Sequence, residues 1–185
     1  MTEGSAVEVG IVGRDGFPES LHLLGPELGH SRCFMQVAGA GMRMDFDEFQ
    51  QEFLKNSILH ERVLRYVQYG TLVLGQLAAC NRLHEVEERL ARWLLMVQDK
   101  VEEPSLRLTQ EFLAQMLGSR RSTVTVVAGT LQRAGLITYR RGNVQIVQRE
   151  SLEKAACECY AISHKFLRNL YKELEPANHG SQFSD

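Results

Sequence analysis

Between Phe112 and Arg149 the chain has six arginines, Arg120, Arg121, Arg133, Arg140, Arg141 and Arg149, and not one Asp, Glu, Lys or His. A guanidinium stays charged in any protein and presents its donors as a planar fork. Arginines without carboxylate neighbours are therefore suited to hold phosphate oxygens or, at a base edge, guanine O6 and N7. Over the full chain 21 Lys+Arg are set against 23 Asp+Glu, for a net charge of −2, so the positive field is concentrated in this one segment. Arg120 and Arg121 also fall where a helix begins, and the macrodipole there disfavours a cation by about 0.3–1 kcal/mol. The sequence shows no intramolecular gain to offset that cost, whereas a phosphate backbone would supply one.

The elements that must position these arginines are legible as apolar stripes. Leu113, Met116 and Leu117 stand at i, i+3, i+4, and Val124, Val127, Ala128 and Leu131 at i, i+3, i+4, i+7, so residues 109–136 predict two short helices that share a core. Gly118 lies between them and tolerates the left-handed backbone of a sharp helix exit, while Ala114 is small enough for close approach. Thr109 and Ser119 are the expected N-caps. Downstream, residues 136–139 and 144–147 flank Arg140-Arg141-Gly142-Asn143, the signal of a hairpin with two arginines at its tip. The pattern is helix, turn, helix, wing. On the second helix the face opposite the buried stripe presents Ser122, Val126, Gly129 and Arg133, with Thr125 on its flank and Thr123 nearby.

Ahead of this domain, residues 86–99 predict a helix with Val86, Leu90, Trp93, Leu94 and Val97 on its core face, and 106–108 a short strand. Residues 57–83 carry Leu59, Val63, Tyr66, Gly70, Val73, Leu77 and Cys80 at alternating spacings of four and three, a heptad seam on a helix about 40 Å long. Val67, Leu74 and Ala78 form a second stripe beside it, so this helix must contact two surfaces. It either pairs with a second copy while packing on its own chain, or is buried within one monomer. Residues 6–12, 33–37 and 42–46 read as strands, with Val7, Val9 and Ile11 on one face of the first, and Asp47 as the cap of a short helix to about 54. So small a β unit cannot cover the long helix, and pairing through the seam is expected. Residues 151–174 predict one amphipathic helix capped by Ser151, and 176–185 a polar, disordered tail.

Composition narrows the class: 44% apolar and 24% charged residues are ordinary for a globular chain. No apolar run is long enough for a membrane span and the N-terminus lacks signal-peptide character, so a cytoplasmic protein without membrane contact is expected. No G-x-S-x-G, H-E-x-x-H or P-loop marks an enzyme. Cys33, Cys80, Cys157 and Cys159 form no C-x-x-C pair. Cys157 and Cys159 fall on the predicted C-terminal helix about 200° apart, which points their thiols to opposite sides, so neither a metal site nor a cofactor is expected.

The words Val86-Glu87-Glu88-Arg89-Leu90-Ala91-Arg92-Trp93-Leu94, Leu108-Thr109-Gln110-Glu111-Phe112-Leu113-Ala114, Gly118-Ser119-Arg120-Arg121-Ser122-Thr123-Val124 and Ala134-Gly135-Leu136-Ile137 resemble the Crp/Fnr family of bacterial transcription regulators. The resemblance is most specific over 84–148 and weaker but colinear over 5–83. It implies an α+β fold: a partial cyclic-nucleotide-type β-roll unit over 1–56, a dimerisation helix over 57–83, and a winged helix-turn-helix domain over 84–175, followed by the tail 176–185. The family's roll begins several strands earlier, so the chain resembles a member lacking the N-terminal part of its roll. Pro18-Glu19-Ser20 and Ser31-Arg32 stand where cyclic-nucleotide binders carry Gly-Glu and Arg-Ser, and no N-terminal Cys cluster is present, so no effector is assigned. The resemblance implies a homodimer on an inverted-repeat operator in double-stranded DNA, with RNA polymerase as a further partner. Arg120, Arg121, Ser122, Thr123, Thr125, Val126, Arg133, Arg140 and Arg141 are then the expected DNA-binding residues. The family commonly places Arg and Glu at the positions of Arg121 and Ser122, and this sequence keeps only the first. The competing reading is a ligand- or redox-sensing dimer whose winged helix serves as a protein-interaction surface, against which the acid-free arginine stretch speaks.

Overall fold

The computed structural model describes residues 6–25, 29, 31–101 and 103–174. It is an α+β chain of helices around one small antiparallel sheet. Helix α1 (Phe46–Lys55) begins at Asp45, not Asp47, because the Asp45 carboxylate accepts from the free N–H groups of Asp47 and Glu48. One residue later Asn56 caps α2 (Ser57–Leu83), accepting from Ile58 N at 3.1 Å and Leu59 N at 3.0 Å. Helix α3 (Val86–Val101) follows, then β1 (Ser105–Arg107), α4 (Gln110–Leu117), α5 (Arg121–Arg133) and the hairpin β2 (Ile137–Arg140) and β3 (Asn143–Ile146). Strand β3 lies between β1 and β2. The main core joins α3, α4, α5 and the sheet through Leu90, Trp93, Leu94, Leu113, Val124, Leu131, Ile137 and Val144. Each such aliphatic side chain contributes about 1.5–3 kcal/mol by leaving water.

The expected strands over 6–12, 33–37 and 42–46 do not form, and residues 6–45 hold no ladder among the described residues. A strand needs a neighbour to take its backbone hydrogen bonds, and side-chain anchoring to the helical domain decides the path instead. Glu8, not Val7 or Val9, points inward and accepts from Trp93 Nε1 at 2.9 Å and from Gln36 Nε2 at 2.7 Å. A buried indole N–H requires such an acceptor. Burial holds the Glu8 carboxyl above its ordinary range, with these two hydrogen bonds opposing the shift. Phe34 meets Phe112 edge-on, and Asp15 pairs with Lys100. The segment is thus a strap across α3 and α4, not a sheet.

Helix α2 spans the expected residues, but its seam is covered within the protomer. Leu59 and Val63 pack with Leu23 and Phe53, and Tyr66 stacks on Phe17 at 5.5 Å. Val73 and Leu77 enter the main core, and Cys80 is wholly buried. The covering elements are α1, the loop at Phe17 and the C-terminal helix Cys159–Leu174. Gly70 is half-buried on the same side. The outward stripe is instead Leu64, Gln68, Leu72, Gly75, Ala79 and Leu83, all exposed.

The C-terminal helix expected over 151–174 is two helices, α6 (Arg149–Ala155) and α7 (Cys159–Leu174). The break falls at Ala156, whose ψ of 152° is extended, and no Gly or Pro between 149 and 174 announces it. Gln148, not Ser151, is the N-cap of α6. With the helix interrupted, Cys157 and Cys159 no longer diverge but turn together into the side chains at the end of α2. The polar tail 176–185 lies outside the described residues.

Candidate nucleic-acid interface

The helix-turn-helix is built from local devices. Thr109 Oγ1 accepts from Phe112 N at 3.1 Å to open α4, and Gly118 closes it in the left-handed region at φ 58°. The next cap is Arg120 rather than Ser119, and its side chain makes no capping bond, so the first N–H groups of α5 are left unpaired by it. Unpaired N–H groups beside two guanidinium groups form an anion-accepting end. On α5, Arg121, Ser122, Thr125, Val126 and Arg133 are exposed, Thr123, Val127 and Gly129 half-buried, and Val124, Ala128 and Leu131 buried. The apolar Val126 is 65% exposed, so it does not pack against the wing.

The wing returns through a two-residue turn, Arg141-Gly142, with φ of 49° and 77°, between the paired residues Arg140 and Asn143. Both positive angles fit a hairpin turn whose twist matches the flanking strands. The Gly142 carbonyl accepts from Leu108 N–H at 2.7 Å, which draws the turn back over the start of α4. A cleft of about 390 Å³ results, lined by Arg121, Thr125 and Gly129 of α5, Thr109 and Gln110 of α4, and Tyr139 and Arg141 of the wing. None of its lining residues is acidic. The charge of Arg121 reaches Tyr139 across it, partly offsetting the upward pull of burial on that phenol.

The nine expected contact residues are therefore not one cluster. Arg121, Thr125 and Arg141 meet at the cleft, whereas Arg120 and Ser122, at the N-terminal end of α5, are exposed and do not line it. Arg140 lies on the other face of the wing with Ser105, Thr138 and Gln145. Arg133, at the far end of α5, bonds Thr130 Oγ1 at 3.1 Å. Arg149, counted with the basic stretch, is absorbed into the fold by Asp99, Glu153, Gln98 and the Tyr160 hydroxyl. Sequence reasoning missed Gln110 and Tyr139, although Gln110 follows the Thr109 cap and so must lie in the first turn of α4, near the cleft.

A second group of chemically capable side chains lies away from this face. The ligating atoms of Cys80, His84, Cys157 and Cys159 all stand within 4.8 Å of one another. Cys80 and His84, at i and i+4 on one helix face, were a signal in the sequence. Their convergence with Cys157 and Cys159 was not.

Helix, turn, helix and three-stranded wing define a winged helix-turn-helix protein. Residues 88–155 match the Crp-like helix-turn-helix domain. Among curated proteins no sequence matches. The chain is similar to solved structures described as a crp/fnr-family transcriptional regulator from Eubacterium rectale (20% identity over 59% of this chain and 50% of that one, TM-score 0.47) and a CRP/FNR-family transcriptional regulator from Thermus thermophilus (29% identity, 57% and 54%, TM-score 0.44). It is also similar to a CooA variant from Carboxydothermus hydrogenoformans (19% identity, 60% and 54%, TM-score 0.49). The chain spans about half the length of these proteins.

Proposed function

We propose that this chain is a sequence-specific DNA-binding transcription regulator that acts as a homodimer on an inverted-repeat operator. The observation that carries the reading is the convergence of Arg121 and Arg141 on a cleft between α5 and the wing that no carboxylate lines. Helix α5 enters the major groove, Arg121 donates to guanine O6 and N7, and the exposed Val126 meets a thymine methyl. Ser122, in place of a carboxylate, leaves the neighbouring base loosely specified. Arg120 and Arg141 take phosphates on either side of the groove, Arg140 a more distant one.

The dimer of this reading pairs α2 with its copy through the exposed stripe of Leu64, Leu72, Gly75, Ala79 and Leu83, since the heptad seam already faces α1 and α7. Gly75 and Ala79 permit close approach of two helices, and Leu64, Leu72 and Leu83 provide the apolar contact. RNA polymerase is the partner such a regulator would meet at a promoter.

The test is selection of sites from random duplex DNA followed by binding measured against salt. Inverted half-sites each anchored by a guanine, with affinity falling steeply as salt rises, are expected. Selection that yields no enriched sequence, with affinity independent of salt, would remove the proposal.

A further inference from the structure

We propose that Cys80, His84, Cys157 and Cys159 hold a single zinc ion in a closed Cys3His tetrahedron that fastens the end of α2 to the start of α7.

The separations are those of one ion's ligand set. Zinc lies about 2.3 Å from thiolate sulfur and about 2.0–2.1 Å from imidazole nitrogen, so a tetrahedron sets its sulfurs about 3.8 Å apart and sulfur from nitrogen about 3.6 Å. Cys80 Sγ and Cys157 Sγ are 3.5 Å apart, and Cys159 Sγ and His84 Nδ1 3.6 Å. Three thiolates and one imidazole match zinc's preference, and the buried cysteines leave no open position for substrate, which marks a structural site. The set is too tight for an iron-sulfur cluster, whose cysteines surround several metal and sulfide atoms.

The surroundings are those that orient and balance such an ion. His84 turns Nε2 toward Glu158 Oε2 at 3.2 Å, which leaves Nδ1 for the metal. Gln76 Nε2 donates to Cys159 Sγ at 3.1 Å. Three thiolates around one dication carry a net charge of −1, and two buried arginines face that charge. Arg89 is 8% exposed and Arg92 3%, and among the described residues the Nε of each has no hydrogen-bond partner. Among the described residues neither has a carboxylate within ion-pair distance; the charge of Arg92 is felt at Glu8 and at Cys80, and Arg89 feels Cys80. Burying cations without a counter-charge is costly, and an anionic zinc-thiolate centre supplies one. On binding, each thiol still protonated gives its proton to solvent, and no oxidant or reductant takes part.

The site joins parts of the chain far apart in sequence, since Cys80 and Cys157 are 77 residues apart. Zinc would close that loop and anchor the break between α6 and α7, where the helix departs from its local preference.

Metal analysis of the reduced full chain, purified after growth with zinc, tests the proposal without passing through DNA binding. About one zinc per chain is expected, with loss in Cys159→Ser and His84→Ala, retention in His84→Cys, which restores a fourth ligand, and retention in Cys33→Ser, whose thiol is exposed elsewhere. Cobalt added to the metal-stripped wild-type chain should give thiolate-to-cobalt charge-transfer bands and intense tetrahedral ligand-field bands, a readout that needs no variant to fold. Substoichiometric metal after zinc supplementation, iron with sulfide in its place, a Cys80–Cys157 disulfide isolated without metal, or zinc lost in Cys33→Ser would each overturn it.

Discussion

The Thr125 hydroxyl lies 2.8 Å from Gln110 Oε1, a contact that ties the middle of α5 to the first turn of α4. The same oxygen is 3.0 Å from the Arg121 carbonyl one turn back. Thr125 therefore serves first to hold α5 at its angle to α4, and Arg121 inherits its aim across the cleft from that contact. Thr125→Val should lower operator affinity while leaving the guanine preference in place, because it disturbs placement rather than the reading group. Competition binding with base-substituted operators separates the two effects.

Arg121→Ala should abolish the guanine preference, a loss of about 1–3 kcal/mol of discrimination at one position. Site selection with the variant reads it directly. Retention of that guanine would mean that α5 is oriented differently in the groove.

Arg141 lines the cleft and Arg140 does not. Arg141→Ala should weaken binding to all sequences alike and reduce the slope of log K against log salt by about 0.9 per half-site. Arg140→Ala should cost less affinity. Salt titrations of both variants on one operator check the order, and a larger loss for Arg140 would reverse the assignment of the wing's faces.

Val73 and Leu72 are neighbours on α2 with opposite fates, 7% and 47% exposed. Val73→Asp buries a charge beside Leu77 in the core and should destabilise the protomer itself by at least about 3 kcal/mol. Leu72→Glu should leave the protomer's denaturation midpoint nearly unchanged while dissociating the dimer. Sedimentation and denaturant unfolding of both variants distinguish the outward stripe from the inward seam as the pairing surface.

Glu8 is held above its ordinary value of 4.5 chiefly by burial. The folded chain therefore binds more protons than the unfolded one between 4.5 and the raised value, and stability falls as pH rises through that window. Glu8→Gln keeps an acceptor for Trp93 and removes the buried charge. It should raise Tm at neutral pH, with the advantage shrinking as pH falls through that window and levelling off below 4.5, which thermal unfolding across pH would show.

What the sequence determined by itself was local. The Thr109 cap, the left-handed Gly118, the stripes of α4 and α5 and the tight Arg141-Gly142 turn each depend on residues within a few positions, so their chemistry could be read without knowing the rest. Tertiary structure decided what covers each apolar face and which distant groups meet. Periodicity shows that Val63, Val73 and Leu77 must leave water, but a chain's own α7 and a second copy's α2 satisfy that demand equally. Strand propensity over 6–12 needed a neighbouring edge, and without one the Glu8 bond to Trp93 set the path. The Cys3His cluster is the clearest case. Cys157 and Cys159 share a side only because the helix breaks at Ala156, and no propensity in 149–174 signals that break. It follows from the packing of α7 on α2, an interaction between segments that local preference does not contain.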